Sequence, residues 1–147
     1  MQAAGDQPTT AQLAHELRDT IGRLVRRLRR EPGAPAPQLA VLGRLEREGG
    51  GVGISISDLA AAERIRPQSM AQTVHDLEAA GCVTRRPDPD DKRRQFVELT
   101  PAGRELLRTT RAQREGWLSD ALERELTPAE RALLADAVAL LGRVADA

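Results

Sequence analysis

Aromatic residues are nearly missing from this chain: one Phe, one Trp and no Tyr. Phe96 and Trp117 alone cannot build a core, so Leu, Val, Ile and Ala must, and with Arg and Glu these residues favour helix. Cysteine occurs once, at Cys82, which excludes an internal disulfide and suits a reducing cytosol. No apolar run approaches the ~20 residues that a membrane-spanning helix needs. The opening stretch, MQAAGDQPTT, has neither a basic start nor an apolar centre. It does not read as a secretory signal, and residues 1–9 are expected to form a flexible tail. A cytoplasmic protein with no membrane partner is the expectation. Net charge is absent too, with 22 basic residues against 22 acidic ones, so any attraction to nucleic acid must come from a local patch. Lysine is scarce: Lys92 is the single one, and the other basic residues are arginines. That reads chiefly as a composition bias, with a modest gain for phosphate and guanine contacts, which suit the guanidinium fork.

What is present suits one domain, or one core with an appendage: 147 residues, 40% of them apolar. There is no internal repeat, and EPGAPAP and GGGVG read as connectors. From Thr10 to Arg30, Leu13, Leu17, Ile21, Leu24, Val25 and Leu28 form one stripe of a helix that ends before Pro32. A second helix is predicted over Pro37–Glu48, with Leu39, Leu42 and Leu45 inward, stopped by glycines 49–51. Ile54, Ser55 and Ile56 allow no more than a bridge of strand. Ser57 is placed to cap a third, short helix, and Pro67 suits the first position of a fourth. In that fourth helix Met70, Val74 and Leu77 face inward, and Gly81 ends it. CVTRR and QFVELT alternate as strands joined by a charged turn. Thr100-Pro101 opens a fifth helix running to about Glu125. Thr127 and Glu130, in TPAE, form a capping box for the last.

The charged turn poses the central question. RPDPDDKRRQFVELT sets Asp88, Asp90 and Asp91 directly against Lys92, Arg93 and Arg94. A helix, a tight turn and a second helix followed by a hairpin describe a winged helix-turn-helix. In that arrangement the second helix enters the major groove and the β-ribbon reaches backbone or minor groove. The fold class expected is therefore mainly α with a small β-hairpin wing. Residues 36–100 form the DNA-binding unit, and 10–35 with 101–147 form a helical dimerisation region. The wing needs cations at its tip, and Asp91 can accept a bidentate bond that aims the Arg93 guanidinium.

These residues resemble the MarR family of bacterial transcription regulators. The resemblance runs from about Thr10 to the C-terminus. It is carried by Leu77-Glu-Ala-Ala-Gly81, Asp91-Lys-Arg93 and Leu99-Thr-Pro-Ala-Gly103 as a set. It implies a homodimer interlocked through the first and last two helices. It also implies repression of nearby genes, often relieved by a small aromatic ligand in a crevice between the two regions. Two departures stand out. Arg94 occupies a position where glycine is common. The cysteine that the family's organic-hydroperoxide sensors carry in the first helix is missing.

The candidate DNA contacts are Arg66, Gln68, Ser69, Gln72 and Thr73 at the start of the fourth helix, and Arg85, Arg86, Lys92, Arg93 and Arg94 at the wing. Gln pairs with adenine, and Ser or Thr with base or phosphate; the plain alternative is a solvated polar face. Arg85 and Arg86 read equally well as strand-surface charges. His15 and His75 stand apart, neither with a partner at ligand spacing, so no metal or cofactor is expected. Cys82 reads as a small buried hydrophobe, and Trp117 as core or dimer interface. An enzyme finds no support in a nucleophile elbow, a phosphate loop or a Cys-His pair, and the three aspartates share their turn with three cations. The function expected is a sequence-specific DNA-binding regulator, a repressor released by a small ligand, acting on an inverted-repeat operator in duplex DNA. The alternative is a winged-helix protein-interaction module without specific DNA binding. The operator, the inducer and the choice between repression and activation are not written in the sequence.

Overall fold

The computed structural model describes residues 7–147. In chain order it consists of α1 Thr10–Leu28, α2 Ala36–Glu48, β1 Ile54–Ser55, α3 Ile56–Glu63, α4 Pro67–Ala79, β2 Val83–Pro87, β3 Gln95–Leu99, α5 Pro101–Glu125 and α6 Pro128–Ala145. The expected class, mainly helical with a small β wing, is the one found. Residues 1–6 of the expected tail lie outside the described residues, and Thr9 is already the N-cap of α1.

Local chemistry sets the boundaries. Thr9 and Gln12 form a capping box, the Gln12 side chain accepting the Thr9 N–H at 2.8 Å. Thr127 and Glu130 form the one foreseen at α6. Thr100 caps α5, and Pro101 takes its first position. The helix expected to reach Arg30 stops at Leu28. Beyond it Arg30 and Glu31 each bond to a carbonyl three residues back, tightening the last turn ahead of Pro32. Ser55 caps α3, not Ser57. Its hydroxyl accepts the Asp58 N–H at 3.1 Å and donates to the Asp58 carboxylate at 2.6 Å, a reciprocal pair that Ser57 has no residue to complete. Gly81, at φ 72°, ends α4 in a Schellman motif: Cys82 N–H bonds to the Leu77 carbonyl and Gly81 N–H to that of Glu78.

The core joins α2, α3, α4, the sheet and α5. Leu42, Leu59, Met70, Val74, Leu77 and Val97 are fully enclosed, with Val41, Leu45, Val83 and Leu107 around them. Burying each large side chain contributes about 1.5–3 kcal/mol. Leu107 belongs to α5, so the first turns of that helix pack into the winged unit. The sheet has order β1-β3-β2, all antiparallel, with Ile54 opposite Val97, Arg85 opposite Val97 and Arg86 opposite Phe96. The two-residue β1 is thus a third strand on the hairpin. By contrast, α1 and α6 contain no buried residue. Leu13, Ile21, Leu133, Val138, Leu140 and Val144 are all exposed on them.

Candidate nucleic-acid interface

Met70, Val74 and Leu77 are inserted in the core, so the rotation of α4 is fixed. That rotation turns Gln68, Ser69 and Gln72 outward and leaves Thr73 half-buried. Arg66 is the N-cap residue and is exposed, and Pro67 follows at the first helical position. The Thr73 hydroxyl donates to the Ser69 carbonyl at 3.0 Å, which leaves its lone pairs as acceptors. Gln72 donates to Asp76 at 2.9 Å. Among the described residues the side chains of Gln68 and Ser69 have no hydrogen-bond partner, so both are available to base edges or phosphates.

The wing arginines divide sharply. Arg85 lies on the face of β2 that turns toward the core, opposite Val97, and its guanidinium is gripped by Glu78 of α4, with Nε at 2.8 Å from the carboxylate. That bond holds the Glu78 carboxyl below its ordinary range. Arg86 lies on the outer face and donates to Glu98 at 2.9 Å and to the Val52 carbonyl at 2.8 Å. Arg94 donates to Asp58 at 2.6 Å. Three of the five basic residues proposed for the wing are therefore already held by carboxylates. Among the described residues, no carboxylate holds Lys92 or Arg93.

The aspartates of the turn do something other than aim cations. Asp91 accepts the backbone N–H of Arg93 at 3.0 Å, and Asp88 accepts that of Asp90 at 2.8 Å. The bidentate pairing of Asp91 with the Arg93 guanidinium is replaced by this backbone bond. A short Asp side chain reaches the amide two residues on with little loss of rotamer freedom, whereas pairing with an arginine would freeze a long side chain. The turn is closed by Asp88 N–H to the Arg94 carbonyl and Arg94 N–H to the Asp91 carbonyl, both at 2.9 Å. The opposed charges thus have separate jobs: two carboxylates build the loop that presents the two free cations.

Between the start of α4 and the wing lies an open groove of about 610 Å³, bordered by Gln68 and Ala71 on one side and Asp91, Lys92 and Arg93 on the other. Sequence reasoning missed Ser55, which borders this groove, and Asp58, Glu78 and Glu98, which hold Arg94, Arg85 and Arg86, because such partners are set by tertiary register. Another concavity, about 430 Å³, opens between α2 and α5; the resemblance implied a crevice between the two regions but named none of its residues. It is lined by Arg44, Arg47, Arg111 and Arg114, with Leu39 and Leu107 on its walls. Arg44 is shared by Glu48 and Glu63, and Arg111 is held by Glu46. Arg114 donates to the Ala34 carbonyl at 3.3 Å, while its Nε is buried without a hydrogen-bond partner among the described residues.

The remaining candidates are structural. Cys82 is buried in the core. Trp117 stacks under Arg27, 4.2 Å from the guanidinium carbon to the ring centre, tying α5 to α1. His15 lies 3.5 Å from Asp19 on exposed α1. Among the described residues no cluster of His, Cys, Asp and Glu is arranged to hold a metal, and no helix is long and apolar enough to cross a membrane.

Comparison with known proteins agrees with this geometry. Residues 33–94 match the sequence model of the MarR family. An HTH-type transcriptional regulator of Mycobacterium bovis is 36% identical over 139 residues, covering 92% of this chain and 94% of its own. A solved structure of a Pseudomonas aeruginosa protein assigned to transcriptional regulation superposes with a TM-score of 0.80 at 44% identity, over 94% of this chain and 98% of that one. The Bordetella bronchiseptica protein BpsR, whose DNA binding is regulated by 6-hydroxynicotinic acid, superposes with a TM-score of 0.62 at 26% identity, over 89% and 98%. A polar outward face on α4, a cation-tipped wing and these likenesses lead to one conclusion: the chain belongs to the MarR family of winged helix-turn-helix transcription regulators.

Proposed function

We propose that this chain is a homodimeric repressor that reads an inverted-repeat operator through α4 and the wing and leaves it on binding a small aromatic carboxylate. The observation that carries the DNA reading is that Gln68, whose side chain is unclaimed, faces Lys92 and Arg93 across one groove, with exposed Ser69 beside it on α4. Gln68 and Gln72 supply adenine-type contacts, and Ser69 and Thr73 supply base or phosphate contacts. Arg66, Lys92 and Arg93 supply the sequence-independent attraction. Arg85, Arg86 and Arg94 act as the wing's internal supports. The dimer is supported by the uncovered apolar residues of α1 and α6, too many for a solitary chain to leave in water.

The ligand is supported by the arginine-lined concavity between α2 and α5. Among the described residues, Arg47 and Arg114 on its lining have no carboxylate partner, so they are available to an anion there. The acid that regulates the Bordetella protein has the chemistry such a pocket would select.

The test is selection of bound fragments from random duplex DNA, followed by affinity measured against salt. Recovered sites should show a dyad with half-site centres about one helical turn, ~34 Å, apart. Binding without salt dependence, or sites without a dyad, would defeat the proposal and favour a protein-interaction module. Wing cations already speak against that module, since such charge is disfavoured at the centre of protein interfaces. For the ligand, 6-hydroxynicotinate serves as probe. It should release the wild type from its operator and leave Arg114→Ala bound, and release of both alike would move the ligand elsewhere.

A further inference from the structure

We propose that Asp58 and Arg94 form a tether that pins the wing to the start of α3, and that this tether is what places Lys92 and Arg93 against the duplex. The proposal rests on the DNA-binding reading above and gives Arg94 a positioning role instead of a phosphate contact. The two partners lie 36 positions apart in sequence and meet at 2.6 Å, and the same Arg94 nitrogen lies 3.5 Å from the Ser55 hydroxyl.

Three observations make the pair a fastening and not a chance surface contact. First, Asp58 is itself immobilised: its carboxylate accepts the Ser55 hydroxyl at 2.6 Å and its backbone N–H bonds back to Ser55 at 3.1 Å. It also sits in the first turn of α3, where the helix dipole favours negative charge. These bonds, with Ser55 the larger influence and Arg94 the second, hold its carboxyl below the ordinary range, so it stays ionised. Second, Arg94 is braced from the other side, its guanidinium carbon 5.5 Å from the centre of the Phe96 ring, while Arg86 lies 5.6 Å from the same ring. Arg86 in turn grips Glu98 and the Val52 carbonyl. Third, Arg94 directly precedes β3 and directly follows Lys92 and Arg93. Fixing it fixes the root of the tip. A hairpin whose loop spans 88–94 would otherwise hinge about its own ladder, and the cations would spend their ordering entropy at the moment of binding.

A double-mutant cycle on the operator recovered by selection, at fixed salt, tests this with the full-length dimer. The variants are Asp58→Asn, Arg94→Gln and both together. Asp58→Asn removes a negative charge near DNA, so a purely electrostatic account requires tighter binding. The tether requires weaker binding, by up to about fivefold, the range of a single exposed ion pair. The double variant should bind no worse than Arg94→Gln alone, and Asp58→Glu should recover most of the wild-type affinity. Tighter or unchanged binding by Asp58→Asn, or losses that simply add, would overturn the tether. Arg94→Gln leaves the α3 cap intact and so separates wing release from helix fraying. If wild type bound no duplex at all, the DNA reading would fail first. Amide exchange at Gln95 and Phe96 in the free protein would still decide the tether: faster exchange in both single variants supports it, and unchanged exchange refutes it.

Discussion

Arg64 holds a positive φ of 54°, the only described residue other than glycine to do so. It is the C-cap of α3, in the tight turn before α4. A side chain in that conformation costs about 1 kcal/mol, which glycine would not incur. Arg64→Gly should therefore raise stability by about 0.5–1 kcal/mol, read as a higher urea midpoint. A lower midpoint would show that the arginine side chain compensates by packing. At the wing, Asp91→Asn keeps the acceptor that closes the turn on the Arg93 N–H, whereas Asp91→Ala removes it. Operator affinity should survive the first change and fall with the second, and equal loss in both would mean the charge itself matters. Arg93→Ala should weaken binding across sequences and lower the salt slope by about one. The sequence displayed the opposed charges of this turn plainly. It could not display their partners, because Arg94 reaches Asp58 and Arg85 reaches Glu78 through tertiary register, and because a carboxylate beside an arginine can bond its amide as easily as its guanidinium.

Two glycine motifs that look like separate punctuation in the sequence are one joint in the fold. Thr100 donates its hydroxyl to the Gly81 carbonyl at 2.7 Å and its N–H to the Cys82 carbonyl at 3.1 Å. Two residues past the start of α5, Gly103 sits so close to that same Cys82 carbonyl that a Cβ would overlap it. Gly103→Ala should cost about 1–3 kcal/mol as the helix is pushed off the sheet, although alanine is the better helix former. A urea midpoint at or above wild type would mean that α5 moves freely there. Element by element, the helices were legible because their apolar spacing is a property of each segment alone. β1 was legible only as a bridge of strand near Ser55; its partner was not, since Val97 and Phe96 lie opposite it only in the folded sheet. The outward face of α4 was legible for the same reason as its inward face, which is why Gln68, Ser69 and Gln72 emerge together. The α2–α5 concavity had no such signal, as its arginines are drawn from segments more than sixty positions apart.

Seen whole, the molecule has an enclosed core and two helices left outside it. With no buried residue in α1 or α6, sedimentation at micromolar concentration should find a dimer, and a monomer would remove the basis of the proposed assembly. Because association would then supply part of the stability, the melting temperature should rise with protein concentration. The apolar stripes were readable in the sequence, as was the expectation that the winged unit alone could not bury them; which residues stay exposed, such as Leu133 and Val144, only the fold shows.

That the uncovered helices and the proposed reading surface sit on different elements has a genetic consequence. A copy damaged in α4 or at the wing tip keeps α1 and α6 intact, so it would still pair with a sound copy. Each mixed pair would hold one competent reader, too few if the operator has the two half-sites proposed. Alleles of this kind should therefore interfere in trans when expressed beside the normal gene. Alleles that cripple α1 or α6 should be silent there, since their products would join nothing. A reporter strain carrying both copies would show the contrast as derepression in the first case and full repression in the second.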